Sequence, residues 1–301
     1  MVEELKIHKP FLKWVGGKTQ IIKEIISIMP AEMNNYHEPF VGGGSVLFAV
    51  LSLQQQQKIN IKNKIYAYDI NYSLINVYKQ IQTNNNELFK TIKLYLDEYE
   101  NINENENINR NPQTINEAKT SRESYYYWLR KKFNNINKDT IESAALFILI
   151  NKLCFRGMYR EGPNGFNVPY GHYKKTPAII TQKQLANISK LIENVEFIHL
   201  DFIDSFKNIK NDDFMYLDPP YAPETKTSFV NYNISGFNLN MHELLFTKIK
   251  NFKDVKFIMS NSNVKLVTDN FKDYNCKEII ARRAINSINP GSTTKEVIIY
   301  N

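Results

Sequence analysis

The residues most suited to chemistry are Asp218, Pro219, Pro220 and Tyr221, directly after the short apolar run 214–217. Proline fixes φ and has no N–H, so this turn is stiff and leaves the Pro219 carbonyl unpaired. Asp218 and that carbonyl are adjacent acceptors, a match for a group with two N–H donors such as an exocyclic amine. Tyr221 offers a ring face for stacking. Acceptors beside an aromatic plate describe a pocket for an extruded nucleobase. The plainer alternative is a structural turn with a capping aspartate.

A second group precedes it. Gly42, Gly43 and Gly44 join a strand candidate (36–40) to a helix candidate (45–53). Glycines permit a tight turn and a close backbone approach, so strand–glycine loop–helix is either a nucleotide-type cradle or a turn cluster. Leu47 breaks the dinucleotide spacing. Asp69 ends the next β-like run, where a carboxylate accepts both hydroxyls of a ribose or caps the following helix. Gly17-Lys18-Thr19 lacks the phosphate-loop spacing, because Leu12 stands where glycine is required. Trp14 and Lys18 can still touch a ligand near a helix start.

The elements that must position these groups alternate. β-like runs at 36–40, 65–68, 196–200, 214–217, 255–260, 276–280 and 297–300 are separated by helical patterns at 19–28, 45–53, 73–82 and 241–251. This predicts an α/β fold with a largely parallel, doubly wound sheet. The last two runs are expected to form an antiparallel hairpin at one edge. Residues 118–153 hold two more helix candidates, followed by a loop-rich stretch. The expected division is a sheet domain of 1–83 and 191–301 with a mainly helical insert at 84–190. A low-complexity linker is expected near 101–117.

The 301 residues are 43% hydrophobic and carry a net charge of +7. Residues 118–190 hold 13 Lys/Arg against four Asp/Glu, a net of +9, so the rest of the chain sums to −2. Such a block suits a polyanion or forms a solvated basic surface. Two cysteines exclude a disulfide framework and a zinc site, and no ligand cluster for another metal stands out. With no leader-like run and no membrane-length apolar stretch, a cytoplasmic protein is expected, and with no coiled-coil or other self-association signature, a monomer.

Together, "FLKWVGGK", "EPFVGGGSVLF", "YAYDIN", "NKLCFRGMYREGPNGFNVPYG" and "YLDPPYAPETKTSFVNYNISGF" resemble the Dam-type, alpha-ordered DNA adenine-N6 methyltransferases, in the family's order from Phe11 nearly to the C-terminus. The resemblance implies a Rossmann-like, S-adenosylmethionine-dependent fold with an inserted helical target-recognition domain. It places Trp14, Lys18, Gly42–Gly44, Asp69, Asp201 and Asp218 at the cofactor, and 218–221 at catalysis. The substrate is then double-stranded DNA, and a cognate restriction endonuclease is a possible partner. Lys131, Lys132, Lys174 and Lys175 are candidates for phosphates. Arg156, Arg160, Asn151 and Tyr159 are candidates for base contacts. Many GATC-methylating members carry asparagine and leucine where this chain has Arg156 and Met158, so the implied target is GATC or CATG. Methylation of cytosine N4, RNA adenine or a protein amide is the alternative reading. A non-catalytic DNA-binding regulator is another.

Overall fold

The computed structural model describes residues 5–103, 107–223, 237–282 and 293–301. They fall into two compact units. One contains the chain up to His8, Lys18–Ile70 and Asn194–Asn301; the other contains Lys9–Gly17 and Asn71–Glu193.

The first unit is built on a seven-stranded sheet: β1 (Tyr36–Glu38), β2 (Ile65–Asp69), β3 (Val195–His199), β4 (Phe214–Leu217), β5 (Lys256–Ser262), β6 (Asn275–Arg282) and β7 (Thr293–Tyr300). Its order is β6-β7-β5-β4-β1-β2-β3. β3, β2, β1, β4 and β5 run parallel. β7 lies antiparallel between β5 and β6, so the expected hairpin forms with β6 as the edge and β7 inside. From β1 the sheet grows one way through β2 and the other way through β4. The carboxyl ends of β1 and β4 therefore form the topological switch point, where open α/β sheets bind ligands.

Period-two alternation in β4, β5 and β7 builds the core. Met215, Leu217, Phe257, Met259, Val297 and Ile299 share one buried cluster with Leu245, Phe246 and Ile249. The last three lie on a helix, Leu239–Asn251, capped by the Asn238 side chain. His242 in that helix is fully buried, edge-on to Phe237 with ring centroids 4.8 Å apart. Burial lowers its pKa from the ordinary 6.5 to about 4. The folded protein therefore holds it neutral, while the unfolded chain takes up a proton below pH ~6.5. Its stabilising contribution is complete above that pH and is lost as pH falls toward 4, by about 3 kcal/mol. Urea unfolding at pH 7 and pH 4.5 should show a smaller acid loss in His242→Leu than in the parent.

The second unit is helical: α2 (Tyr72–Glu100), α3 (Arg122–Asn135), α4 (Ile141–Leu153) and α5 (Gln182–Leu191), with the helix Ser45–Gln55 of the first unit taken as α1. Its α2 packs along α4 and α5 and so groups with them, and the expected cut at 83/84 falls within it. The backbone of Asn84 departs from helical angles there, but Leu88, Ile92, Tyr95 and Tyr99 continue a buried stripe beyond it. No helix among the described residues is long and apolar enough to cross a membrane.

Candidate active site

At the switch point β1 and β4 pair in register, Tyr36 opposite Phe214 and His37 opposite Met215. The sequences that leave them are the glycine loop and 218–221. Gly42 and Gly44 adopt left-handed angles, φ 47° and 72°, which cost a side-chain-bearing residue strain. Gly44 caps α1. The loop is tied to β2: the Val41 N–H donates to the Tyr68 carbonyl at 2.9 Å, and the Gly42 N–H donates to Asp69 Oδ2 at 3.0 Å. Asp69 thus braces the glycine loop. Asn71, not Asp69, caps α2. Asp201, one residue beyond Leu200, caps the short helix Phe202–Ser205, and the Leu200 N–H donates to the Asp69 carbonyl at 3.2 Å. The ends of β2 and β3 are joined in this way.

Asp218 stands at the lip of β4, its side chain 20% exposed. Lys18, in a 3-10 turn and only 4% exposed, places Nζ 2.5 Å from Asp218 Oδ2 and 5.0 Å from the centre of the Tyr221 ring. Burial lifts the Asp218 carboxyl above its ordinary value. Lys18 opposes that shift and the Glu296 charge adds to it. Glu38, 2% exposed at the end of β1, accepts from the Tyr36 hydroxyl at 2.6 Å. Its pKa is pushed well up by burial, partly countered by the Tyr36 hydrogen bond, and the Asp218 charge pushes in the same direction as burial. The neighbouring Tyr216 hydroxyl meets Ser260 Oγ at 2.9 Å.

The turn itself is clamped by β5. The Ala222 N–H donates to Asn261 Oδ1 at 3.0 Å, and the Ser262 hydroxyl donates to the Ala222 carbonyl. At the far end of the ring, the Tyr221 hydroxyl donates to Glu296 Oε2 at 3.0 Å. Sequence reasoning passed over Glu38, Asn261 and Glu296. Glu38 alone carried a signal, an acid inside an apolar strand ending. The motif segment 224–236 lies outside the described residues. A cleft of about 720 Å³ opens at the amino ends of the same strands, among Asn34, Asp213, Phe214, Lys256 and Asn301. That is the opposite end of the parallel strands from Asp218.

A model of D12 class N6 adenine-specific DNA methyltransferases matches residues 14–285. The chain belongs to that family. As such an enzyme it transfers methyl groups to adenine in DNA and uses a methyl donor of the S-adenosylmethionine type. It is 37% identical to the Type II methyltransferase M.MjaIII of Methanocaldococcus jannaschii, over 92% of this chain and 93% of the relative. It is 31% identical to the Type II methyltransferase M1.LlaDCHI of Lactococcus lactis subsp. cremoris, over 100% and 98%. A DNA adenine methylase of Haemophilus influenzae is 29% identical over 96% and 91%.

In the second unit of this methyltransferase the sequence candidates divide by exposure. Arg156, Arg160, Lys174 and Lys175 are exposed. Arg156 takes a left-handed φ of 56°, and its guanidinium lies 5.1 Å from the Phe155 ring centre. Gly157 follows with φ 66°, and a Cβ there would meet Lys13 Cβ at 2.2 Å, so this turn requires glycine. Arg160 Nε donates to Asn167 Oδ1 at 2.6 Å. Lys131 donates to Gln113.

One candidate, Asn151, is corrected. Asn151 is 1% exposed; it accepts from the Lys13 N–H at 3.0 Å and donates to the Lys13 carbonyl at 2.8 Å. Its amide anchors the 9–17 segment and is not available for a direct base contact. Lys132 lies 2.7 Å from both Glu142 Oε1 and the Tyr95 hydroxyl, in a half-buried ion pair. Trp14 and Tyr159 stack with centroids 5.6 Å apart, each also against Phe147.

Proposed function

We propose that this enzyme methylates N6 of an adenine extruded from a short duplex site of the GATC or CATG type. It acts as a monomer in a Dam-like or restriction–modification setting. One observation carries the reading of the site: a nitrogen with N–H donors, Lys18 Nζ, already lies between the Asp218 carboxylate and the Tyr221 ring. The same acceptor and ring suit an exocyclic amine on a flat base, with the Pro219 carbonyl as the second acceptor.

Lys18, Gly42, Gly43, Gly44, Asp69, Asp201 and Asp218 are proposed to hold the donor, with Trp14 as a further contact. The residues fit such a group. The left-handed glycines let the backbone approach it, Asp69 suits a ribose diol, and the Asp218 carboxylate suits a cation. S-adenosylmethionine supplies an activated methyl on a sulfonium. The protein's part is to make a poor nucleophile react. The adenine amine is weak because its lone pair is spread into the ring. Accepting both N–H bonds at Asp218 and Pro219 localises that lone pair, and the Asp218 carboxylate stabilises the positive charge growing on nitrogen. Orientation against the stiff 218–221 turn contributes further. Stacking on Tyr221 compensates the base for its lost neighbours.

Arg156 and Arg160 are proposed to read base edges, Tyr159 to support them, and Lys131, Lys174 and Lys175 to meet phosphates. Lys174→Ala with Lys175→Ala should weaken every duplex alike and lower the slope of log K against log salt by about 2. Arg156→Ala should instead lose about 1–3 kcal/mol of discrimination at one base pair. Anisotropy titrations of cognate and scrambled duplexes across a salt series distinguish the two.

The reading is tested with labelled S-adenosylmethionine offered to duplex DNA, RNA and protein, followed by nucleoside analysis and sequencing of modified positions. The expected product is N6-methyladenine in duplex DNA at a GATC or CATG site. Label in cytosine, RNA or protein sinks it.

A further inference from the structure

Tyr221 is gripped from its far end by a residue that no motif contains. Glu296, which accepts the Tyr221 hydroxyl proton at 3.0 Å, sits on β7 opposite Ser262 of β5 on one side and Ile279 of β6 on the other. Its backbone is thus fixed by two neighbouring strands. The rest of Tyr221 is also constrained: Lys18 lies over the ring, and Asn261 and Ser262 hold the next residue. A phenol tied at its backbone can still turn its ring about χ1 and χ2. Tying Oη as well fixes the long axis of the ring, and because a phenol O–H prefers to lie in its own ring plane, the bond to Glu296 also biases χ2. Burial, then the Asp218 and Glu296 charges, raises the Tyr221 pKa well above the ordinary value. The hydroxyl therefore keeps its proton and acts as a donor to Glu296.

We propose that Glu296 is the positioning residue of Tyr221, holding the ring axis and biasing its plane from the hydroxyl end so that its face receives the target base. This rests on the reading above that Tyr221 stacks on that base. Glu296 itself touches no reacting atom.

A double-mutant cycle of Glu296→Ala and Tyr221→Phe tests it, with Glu296→Gln as a variant that keeps an acceptor oxygen and Tyr221→Ala as a check on the stacking role. The readouts are kcat and KM for a duplex carrying the target site, and fluorescence of 2-aminopurine placed at the target position. Calorimetric Kd for S-adenosylmethionine and thermal stability are measured alongside. Glu296→Ala and Tyr221→Phe should each raise KM and reduce the extruded-base fluorescence about fivefold to tenfold, the effect of one hydrogen bond. The double variant should be no worse than either single one. Glu296→Gln should recover most of the loss, with donor affinity unchanged throughout.

Additive losses in the double variant overturn the proposal, and so does a Tyr221→Phe enzyme that behaves like the parent. Tyr221→Phe leaves β7 untouched, so this result stands even if Glu296→Ala does not fold. A Tyr221→Ala enzyme with parental KM and fluorescence instead refutes the stacking role itself.

Discussion

Asp218→Ala should lower kcat by at least about 10²–10³-fold, the loss typical of removing one preorganised electrostatic partner of a transition state. Measured in single-turnover assays with saturating duplex, the fall should lie in the chemical step. The same substitution should also destabilise the fold. It leaves the ammonium of Lys18, 4% exposed, without the carboxylate 2.5 Å away, and breaking a buried pair from one side costs about 3–5 kcal/mol. The two effects can be separated. Asp218→Asn combined with Lys18→Met removes both charges and fills similar space, so it should regain much of the lost stability and none of the activity. Thermal unfolding and single-turnover rates on the parent and the two variants check this. A double variant that regains activity along with stability would show that the carboxylate serves only the fold.

Lys18→Met alone should move the acid limb of the pH–rate profile upward. Burial already raises the Asp218 carboxyl, and Lys18 is the group that holds it down. An ionised Asp218 is needed to accept N–H bonds, so activity falls as pH drops through its pKa. Without the ammonium that pKa rises, and the limb shifts toward neutrality. At pH 7 the variant should lose about 10²-fold in kcat/KM and recover part of it at pH 9. Equal losses at pH 7 and pH 9 would mean that Lys18 acts by packing or through the donor, not through the charge on Asp218.

The strands and the turn of 218–221 were legible because each rests on local pattern. A four-residue apolar run ending in Asp-Pro-Pro-Tyr marks a strand that stops at a stiff turn, and Phe214–Leu217 forms as expected. Pairings set by topology were not legible. Lys18 and Asp218 are 200 residues apart, and the sequence around Lys18 suggested only a loop near a helix start. Glu296 lies in "TTKEVIIY", whose alternation reads as an ordinary half-exposed strand. Its partner is known only once β7 is seen to lie inside the sheet.

Elsewhere tertiary packing outweighed composition. The asparagines at 84–86 argue for a helix end at 82, yet the buried stripe from Leu88 to Tyr99 keeps α2 going. In α5 the opposite happened. The capping box of Thr181 and Gln184 was visible as a local signal and went unread. The basic block pointed to real exposed cations at Arg156, Arg160, Lys174 and Lys175. Charge counting cannot tell that Lys132 pairs with Glu142.

The place of β7 between β5 and β6 bears on how the protein is made. A ribosome releases residues 256–262 and 275–282 before 293–300. Until that last segment emerges, β5 lacks its outer neighbour and β6 has no partner in the sheet. A nascent chain paused in this interval presents open strand edges, the kind that pair with other chains. The same segment delivers Glu296. Closing the sheet and bracing the Tyr221 ring are therefore one event, which follows the emergence of β5 and β6.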